Sequence, residues 1–348
     1  GYDDGSYVYK NEFWQNVSKD FQFTHDCDNQ YVYSNIHWFM KHPEFMKRVA
    51  RNAKPFLYYI YREVHKRHLP GELVLLPTIE SAFDPFAFSA SGAVGLWQIM
   101  PGTGSGFGIK QNWWYDGRRD ITASTKAALD YFTYLDHMFS GHWLLSIASY
   151  NAGQGTVINA LRYNMEHHEP MEFWYLRLPR ETQGYVPRLL AVSCIVKNPR
   201  KYHVKLPNIE NKPYFETVTL KKHIDLHQVA KLADVDMDTL HLLNSAYNRM
   251  STSPYNNTKL FLPVEKVQTF KENLKKTKDF KLSAWRYHRV KKGETLGRIA
   301  FKYHTNTELL RKVNKVYSNH LVQGQRLLIP KRKPRFNDHV VAGQKRYT

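Results

Sequence analysis

The chain has 348 residues, of which 42% are hydrophobic, and it carries a formal net charge of +19 at pH 7. The length predicts two or three domains, and no apolar run reaches the ~18 residues that a membrane-spanning helix needs. The charge is uneven, with 20 Lys and Arg against 19 Asp and Glu in residues 1–200 and 30 against 12 in residues 201–348. The basic excess of the second part predicts an anionic partner, and a polymer that bears carboxylates fits as well as nucleic acid does.

Residues 1–200 have the pattern of a mainly helical domain, with an N-terminal helical extension over 1–70. Apolar residues at helical spacing predict a long helix over 43–67. Pro55 should interrupt it, because proline has no backbone N–H to donate. The pattern predicts further helices over 72–81, 122–139 and 143–150, followed by a linker over 201–213.

One acid, Glu80, ends the apolar stretch that begins at Leu75. A carboxyl group among apolar neighbours tends to keep its proton, because burial disfavours the charged form. A protonated carboxylic acid near neutral pH is the general acid that cleavage of a glycosidic bond requires. The alternative for a lone Glu is an ordinary acid at a helix end. Most glycosidases use two carboxylates, but Asp84 has the context of a turn or cap, and Asp116 and Asp120 that of caps or salt-bridge partners.

Four short segments follow one another in the order E-S-x-F, G-L-x-Q-I-M-P, Y-N-A-G and a Tyr-Val segment. They occupy Glu80–Phe83, Gly95–Pro101, Tyr150–Gly153 and Glu181–Pro187. Together they resemble the lytic transglycosylases, bacterial enzymes with a lysozyme-like fold that cut peptidoglycan. With the context of residues 113–120, the resemblance is closest to the membrane-bound murein transglycosylase D type, and it extends over residues 11–201.

The resemblance implies a role for each residue of these segments. Glu80 would protonate the oxygen that links N-acetylmuramic acid to N-acetylglucosamine. It would then take a proton from the muramoyl C6 hydroxyl, which leaves a 1,6-anhydro product and needs no second carboxylate. The expected substrate-binding residues are Ser89, Gln98, Met100, Tyr150, Asn151 and Tyr185.

Each of these side chains has an expected place. Ser89 would hydrogen-bond near the acid or its sugar, and Gln98 offers a donor and an acceptor to a sugar amide or hydroxyl. Tyr150 and Asn151 would pack behind and beside Glu80, and Tyr185 would point its hydroxyl at that acid. Met100 would line the cleft. For Met100 and Tyr150, a role in core packing is an equal alternative.

An internal repeat follows the first domain. A shift of 70 residues aligns Leu226, Ala230, Leu240 and Asn244 with Leu296, Ala300, Leu310 and Asn314, and a shift of 67 aligns 260–263 with 327–330. Each copy has the pattern of a strand, two helices and a strand. In the second copy we expect strands over 287–290 and 326–329 and helices over 295–304 and 306–314.

The second copy resembles a LysM module, a family that binds glycans containing N-acetylglucosamine, through residues 290–296 and 324–330. The first copy diverges, because His223-Ile224-Asp225 replaces Gly293-Glu294-Thr295. Binding of sugar by the first copy and a purely structural role are both open.

The predicted fold is therefore multidomain, with a mainly α lysozyme-like catalytic domain followed by two small βααβ LysM-like modules. The predicted domains are residues 1–200, 214–264 and 286–331, with a charged helix or linker over 266–284 and a basic tail over 332–348.

Other features of the sequence do not point to further chemistry. The glycine-rich run Gly102–Gly108 lacks the preceding strand and the Gly-Lys-Ser/Thr ending of a phosphate loop, so its glycines are expected to form a turn beside the substrate. Trp113–Tyr115 could form a sugar platform, but we expect at least two of the three to pack in a core. Cys27 and Cys194 could pair, and two buried thiols are slightly favoured. The histidines predict no metal site, and no cofactor is expected.

The expected function is that of a peptidoglycan lytic transglycosylase with C-terminal glycan-binding modules. The alternatives are a goose-type lysozyme that uses water as nucleophile and a non-catalytic peptidoglycan-binding protein. Nucleic-acid binding is disfavoured, because the basic part lacks aromatic–basic interleaving. The substrate predicts a periplasmic location. Attachment to the outer membrane is expected only through a lipid anchor upstream of Gly1.

Overall fold

The computed structural model describes residues 4–221, 224–252, 258–277, 285–317 and 320–330. By packing, the chain divides into two units. Of the described residues, the first unit contains 4–109 and 121–214, and the second contains 110–120 and those between 215 and 330. Residues 110–120 lie within the predicted first domain in sequence and pack with the second unit.

The first unit is mainly helical. Its helices are α1 Glu12–Lys19, α2 Gln30–Lys41, α3 Pro43–Ala53, α4 Leu57–Lys66, α5 Leu76–Ser81, α6 Pro101–Gly106, α7 Ile121–Phe139, α8 Trp143–Ala152, α9 Gln154–Glu166 and α10 Arg180–Lys197. Two strands, β1 Tyr7–Val8 and β2 Leu206–Pro207, pair antiparallel. The predicted linker over 201–213 therefore contains a strand.

Prolines decide where several of these helices begin and end. The helix predicted over 43–67 is broken around Pro55, as expected, with α3 ending at Ala53 and α4 beginning at Leu57. The helix predicted over 72–81 was wrong in its first half, where Gly71–Leu75 is a 3₁₀ helix. Proline is favoured in the first turn of an α-helix and disfavoured in its interior, and Pro77 lies in the first turn of α5.

The glycine-rich run after Met100 was expected to be a turn, and this was wrong. Residues Pro101–Gly106 form α6, and proline at its start supplies a preset helical φ. The backbone N–H of Phe107 closes the helix by donating to carbonyls of its last turn.

Helix α10 is the centre of the first unit. It packs against α2, α8 and α5, and a run of its side chains is fully buried, namely Leu189, Leu190, Ala191 and Ile195. Removing a leucine or isoleucine side chain from water stabilises a fold by about 1.5–3 kcal/mol. The slight preference for two free thiols was wrong, because Cys194 of α10 forms a disulfide with Cys27, with Cα atoms 6.1 Å apart.

The second unit contains both copies of the repeat. In the first copy β3 Phe215–Leu220 pairs antiparallel with β4 Thr258–Pro263, with α11 Leu226–Ala233 and α12 Met237–Leu243 between them, and α13 Val267–Lys276 follows. In the second copy β5 Trp285–Arg289 pairs antiparallel with β6 Arg326–Pro330 around α14 Leu296–Lys302 and α15 Thr307–Asn314. The predicted order of strand, helix, helix and strand is confirmed in each.

Equivalent asparagines make the same contacts in the two copies. The Asn244 side chain donates to the Phe261 carbonyl and accepts from the Phe261 N–H, both at 2.8 Å. Asn314 does the same with Leu328, at 3.0 and 2.7 Å. Each asparagine thus fixes the second helix of its copy to the closing strand.

Parts of the predicted regions, His223 among them, fall outside the described residues. The basic tail over 332–348 lies wholly outside them, as do residues 278–284 of the predicted charged helix or linker. Within the described chain, every helix is too short or too polar to cross a membrane.

Candidate active site

Glu80 occupies the last turn of α5, at a point where the backbone is tightly fixed. The helix ends in two consecutive residues with left-handed backbone, Ala82 at φ 51° and Phe83 at φ 58°. The Asn52 side chain donates to the Ala82 carbonyl at 3.1 Å. The buried Ser81 hydroxyl donates to the Leu96 carbonyl at 2.8 Å. These contacts hold the helix end, and with it the acid, against the second sequence motif.

That second motif forms a tight turn. Val94 and Ile99 exchange two backbone hydrogen bonds, of 3.2 and 3.0 Å, and Gln98 within the turn has left-handed backbone at φ 50°. The Gln98 amide nitrogen donates to the carbonyls of Ala87 and Gly95, at 3.2 and 2.9 Å. The amide N–H groups of Gln98 therefore stabilise the turn, and its predicted contact with sugar stays a prediction.

Tyr150 belongs to the packing behind the turn. Its ring stacks on Phe132 with centroids 4.5 Å apart, and its hydroxyl donates to the Trp97 carbonyl at 2.6 Å. Trp97 is fully buried and donates its indole N–H to the Thr125 hydroxyl of α7 at 3.1 Å. The core role that was one alternative for Tyr150 is therefore present in the structure.

Asn151 connects the end of α8 to the first turn of α10. Its side-chain oxygen accepts from the Thr182 hydroxyl at 2.8 Å, and its amide donates to Glu181 at 3.3 Å. The chain then turns at Gly153, where φ is 90° and ψ is 145°. This backbone region is essentially restricted to glycine, so the Y-N-A-G motif ends with a residue that the geometry requires.

Tyr185 brings α10 to the acid. Its hydroxyl donates a hydrogen bond to Glu80 Oε1, and its side chain is buried. Burial and the Glu80 charge raise the pKa of Tyr185 well above its ordinary value, so the hydroxyl remains a donor. With Oε1 accepting this bond, Oε2 is left as the position for a transferable proton.

The environment of Glu80 favours its neutral form. Burial raises the pKa of this carboxyl to about 8, and the charge of Glu181 adds to the rise. The hydrogen bond from Tyr185 and the charge of Arg188 act in the opposite direction. The residue as a whole is half-buried, so it is not sealed off from solvent. With its pKa at about 8, most of this carboxyl is protonated near neutral pH.

Ser89 lies in a turn of its own. Its hydroxyl is 2.9 Å from that of Ser91 and accepts from the Ala93 N–H at 3.0 Å, so its predicted contact with the acid or its sugar stays a prediction.

Met100 is 41% exposed, which argues against the core alternative. Gln98, Met100 and Tyr150 border one small cavity of about 40 Å³. A larger cavity of about 560 Å³, beside α1 and the end of α10, includes none of the predicted site residues.

Several contributors were not identified from the sequence. Arg188 follows Tyr185 by three residues on α10, and this spacing places both on one helix face, a signal that was available. Ser81 belongs to a motif that was recognised, but its bond to Leu96 joins segments distant in sequence.

Asp84 has the expected turn role, since its carboxylate accepts from the Phe86 N–H at 2.9 Å. In the described residues, no group of three or more His, Cys, Asp or Glu side chains could hold a metal.

Three protein families match successive parts of the chain. The Transglycosylase SLT domain matches residues 58–171, the family described as Lytic transglycosylase MltD, LysM-like domain matches 214–279, and the LysM domain matches 288–330. The order of the matches is that of the predicted domain and of the two copies of the repeat.

Two whole proteins and one solved structure are similar to parts of this chain. The membrane-bound lytic murein transglycosylase D of Escherichia coli K12 is 35% identical over 301 residues, which cover 84% of this chain and 67% of that protein. The soluble lytic murein transglycosylase of the same organism is 29% identical over 144 residues, or 38% of this chain and 22% of that protein. The crystal structure of the 70 kDa soluble lytic transglycosylase of E. coli matches with a TM-score of 0.34 at 22% identity, covering 47% of this chain and 29% of that one.

The family matches confirm the predicted fold class, since a helical lysozyme-like domain precedes LysM modules with small antiparallel sheets. The identity to transglycosylase D extends over most of the chain and two thirds of that relative. The chain therefore belongs to the lytic murein transglycosylases, which are lyases that act on peptidoglycan.

Proposed function

We propose that Glu80 carries out both proton transfers in cleavage of the β-1,4 bond between N-acetylmuramic acid and N-acetylglucosamine. In the first step the neutral carboxyl gives its proton to the glycosidic oxygen. The bond between that oxygen and muramoyl C1 breaks, and its electron pair stays with the leaving sugar. In the second step the Glu80 carboxylate takes the proton of the C6 hydroxyl while O6 bonds to C1. The product is a 1,6-anhydro end, and Glu80 regains its proton without using water.

The observation that carries this proposal is that two opposing influences act on the Glu80 carboxyl group, burial and the hydrogen bond from Tyr185. A general acid works best when its pKa lies near the operating pH, and burial places the pKa of Glu80 at about 8. The same group must then act as a base. The Tyr185 hydroxyl supports that second role, because a donor to a carboxylate stabilises the charged form. Burial thus stabilises the protonated form of Glu80, and the hydrogen bond from Tyr185 stabilises its charged form.

The supporting contacts are arranged around this acid by three different elements. Ser81 holds the end of α5 to the turn that contains Gln98, and Tyr150 holds the same turn to α8. Asn151 then joins α8 to the first turn of α10, one turn before Tyr185. We expect the sugar-binding side chains to be Ser89, Gln98, Met100, Tyr150, Asn151 and Tyr185.

Digestion of purified peptidoglycan in water enriched in ¹⁸O tests the proposed reaction. Intramolecular attack by O6 gives anhydro ends, each lighter by one water than a reducing end and free of ¹⁸O. Mass spectrometry of the released muropeptides should show these ends for the parent and none for Glu80→Gln. Reducing ends that contain ¹⁸O would instead establish hydrolysis of the lysozyme type and overturn the anhydro route. Equal release by Glu80→Gln would overturn the role of this acid.

We place this activity in the bacterial cell envelope, on the peptidoglycan side of the cytoplasmic membrane. The substrate supports this location, as does the similarity to the membrane-bound transglycosylase D of E. coli. The LysM match over 288–330 supports attachment to the glycan strands through the second copy. Fractionation of cells that express the native gene should recover the protein with the envelope, and recovery in the cytoplasm would contradict the location.

A further inference from the structure

Residues 110–120, here called the docking segment, pack against both copies of the repeat within the second unit. In sequence the segment falls inside the region that matches the SLT domain. In packing it belongs with residues 215 onward. Its contacts show what it does there.

The docking segment pairs with the loop after α12 through backbone hydrogen bonds. The Asp116 N–H donates to the Ala246 carbonyl, and the Asn248 N–H donates to the Trp114 carbonyl, both at 2.8 Å. Between these bonds Tyr115 and Tyr247 form an antiparallel bridge. The segment therefore adds a short stretch of β-structure to the first copy, a form of recognition in which main-chain bonds supply affinity.

Side chains extend the pairing on both sides. Arg119 donates to the Ser245 carbonyl at 2.8 Å, and the Ser245 hydroxyl donates back to the Arg119 carbonyl at 3.0 Å. The Asn248 side chain accepts a bond from Arg119 and donates to the Asn112 carbonyl at 3.2 Å. Hydrogen-bond donors and acceptors of the docking segment are thus paired with acceptors and donors of the loop after α12, which is the pattern of a specific interface.

Charges at this interface are buried and paired. Asp116, Arg119 and Asp120 are each less than 10% exposed. Asp116 pairs with Arg118 at 3.0 Å and with Arg119 at 3.7 Å, and Lys259 of β4 reaches Asp120 at 3.5 Å. Leaving any of these charges buried without its partner would be strongly destabilising. The segment and the first copy can therefore separate only if water solvates the charges that are exposed.

The same segment reaches the second copy through its aromatic residues. Trp114 is 1% exposed and packs with Val313 and Leu328. Its ring lies 5.2 Å from that of Trp285 in an edge-to-face arrangement. The expected core role of the aromatic run is present here, since Trp113 also packs beside Trp285, at 5.8 Å.

The internal repeat provides a direct comparison between the two copies. The 70-residue shift aligns Tyr247 of the first copy with Tyr317 of the second. Tyr247 is 7% exposed, in the core of the first copy with Tyr115 packed against it at a ring-centroid distance of 5.9 Å, whereas Tyr317 is 90% exposed. The chain's own segment therefore contacts the tyrosine of the first copy, while the equivalent tyrosine of the second copy is exposed.

We infer that the first copy is an intramolecular receptor for residues 110–120, and that it does not bind glycan through the loop that carries Tyr247. The chain uses one LysM-like copy to bind part of itself and leaves the corresponding loop of the second copy for an outside ligand. The part of this inference that concerns glycan rests on the proposed function, and the part that concerns docking does not.

Hydrogen exchange of the full chain, followed by mass spectrometry, tests the docking with a matched pair of variants. Tyr247→Ala should accelerate exchange of the amides in 112–120 at least about tenfold, because removing a buried aromatic side chain favours local opening. Tyr317→Ala, at the equivalent position, should leave these amides unchanged. Equal effects of the two variants, or no effect of Tyr247→Ala, would overturn the inference.

Tyr247 also belongs to the core of the first copy, so a second variant separates docking from folding. Asn248 is half-buried, and Asn248→Ala removes side-chain bonds to the segment. It should accelerate exchange in 112–120 about tenfold, as expected for the loss of charge-assisted and neutral hydrogen bonds, while the amides of β3 and β4 keep their protection. Unchanged exchange in 112–120 would count against docking even if Tyr247→Ala unfolded the copy.

The glycan arm uses the Glu80→Gln full chain and a soluble oligomer of N-acetylglucosamine. The oligomer should slow exchange around Tyr317 and leave residues 110–120 and 244–248 as in the free protein. Slower exchange at 244–248, or faster exchange at 110–120, would overturn the assignment of the first copy. If no segment responds, the proposed glycan binding by the second copy fails, and the docking stands or falls on the variants alone.

Discussion

Replacing Glu80 by Gln should lower the rate of peptidoglycan cleavage by about 10²–10⁴-fold, the range in which general acid–base catalysis contributes to enzymatic rates. The amide has nearly the same shape as the acid and can still accept the hydrogen bond from Tyr185. It has no proton to give to the glycosidic oxygen and no charge with which to take one from C6. The loss should therefore appear in kcat rather than in KM, measured as release of soluble muropeptides.

Asp84→Asn provides the matched control, because Asp84 lies four residues further on and caps a turn through the Phe86 N–H. Its activity should stay within about threefold of the parent, since surface turn contacts of this kind contribute little to a reacting centre. Retention of most activity by Glu80→Gln would refute the single-acid account. A comparable loss in Asp84→Asn would show that the reaction uses a second carboxylate.

Removing the disulfide should lower the free energy of unfolding by about 2–5 kcal/mol, the range usual for a native disulfide. Cys27 and Cys194 are separated by 167 residues, and a bridge across so long a loop strongly restricts the unfolded chain. The bridge ties the segment before α2 to α10, the helix that carries Tyr185. The change is measured by denaturant unfolding of Cys27→Ser/Cys194→Ser beside the parent.

Reductant gives the control for this prediction. It should destabilise the parent by about as much as the double substitution, and it should leave the double variant unchanged. An unfolding midpoint that does not respond to reductant in the parent would mean that the pair contributes nothing to stability.

The elements of the repeat could be predicted from sequence because each copy is a local unit. Apolar residues aligned by the 70-residue shift face the core of their own copy, and the order of strands and helices follows from spacing within about fifty residues. The asparagines at 244 and 314 were aligned by the same shift, and the structure gives them equivalent bonds. The helices and strands of each copy can therefore be predicted without knowledge of the rest of the chain.

The features that sequence could not supply depend on contacts between distant segments. Nothing local distinguishes residues 110–120, which pack with the second unit, from Ile109 and Ile121 on either side, which do not. The pairing of Cys27 with Cys194 also depends on a distance that spacing does not contain. Pro77 lies inside the helix predicted over 72–81, and it is the local signal that marks the start of α5.

The residues of the candidate site could be predicted from sequence, whereas the contacts that hold them could not. Resemblance to a family supplied Glu80 and the side chains around it, since four ordered motifs are a specific signal. It did not supply the contacts that fix the acid, such as the bond from Ser81 to Leu96, or the charges of Glu181 and Arg188 that act on its pKa. These depend on how α5, the turn at Gln98 and α10 meet.

Direct titration of the Glu80 carboxyl tests the central claim. In protein labelled with ¹³C at the glutamate carboxyl carbon, the resonance that is lost in Glu80→Gln belongs to this group. We expect it to titrate with a pKa of about 8, and to move higher in Tyr185→Phe, because the hydrogen bond from Tyr185 lowers this pKa. A midpoint near 4.5, the ordinary value for a glutamate side chain, would mean that the acid is ionised at neutral pH and cannot be the proton donor described here.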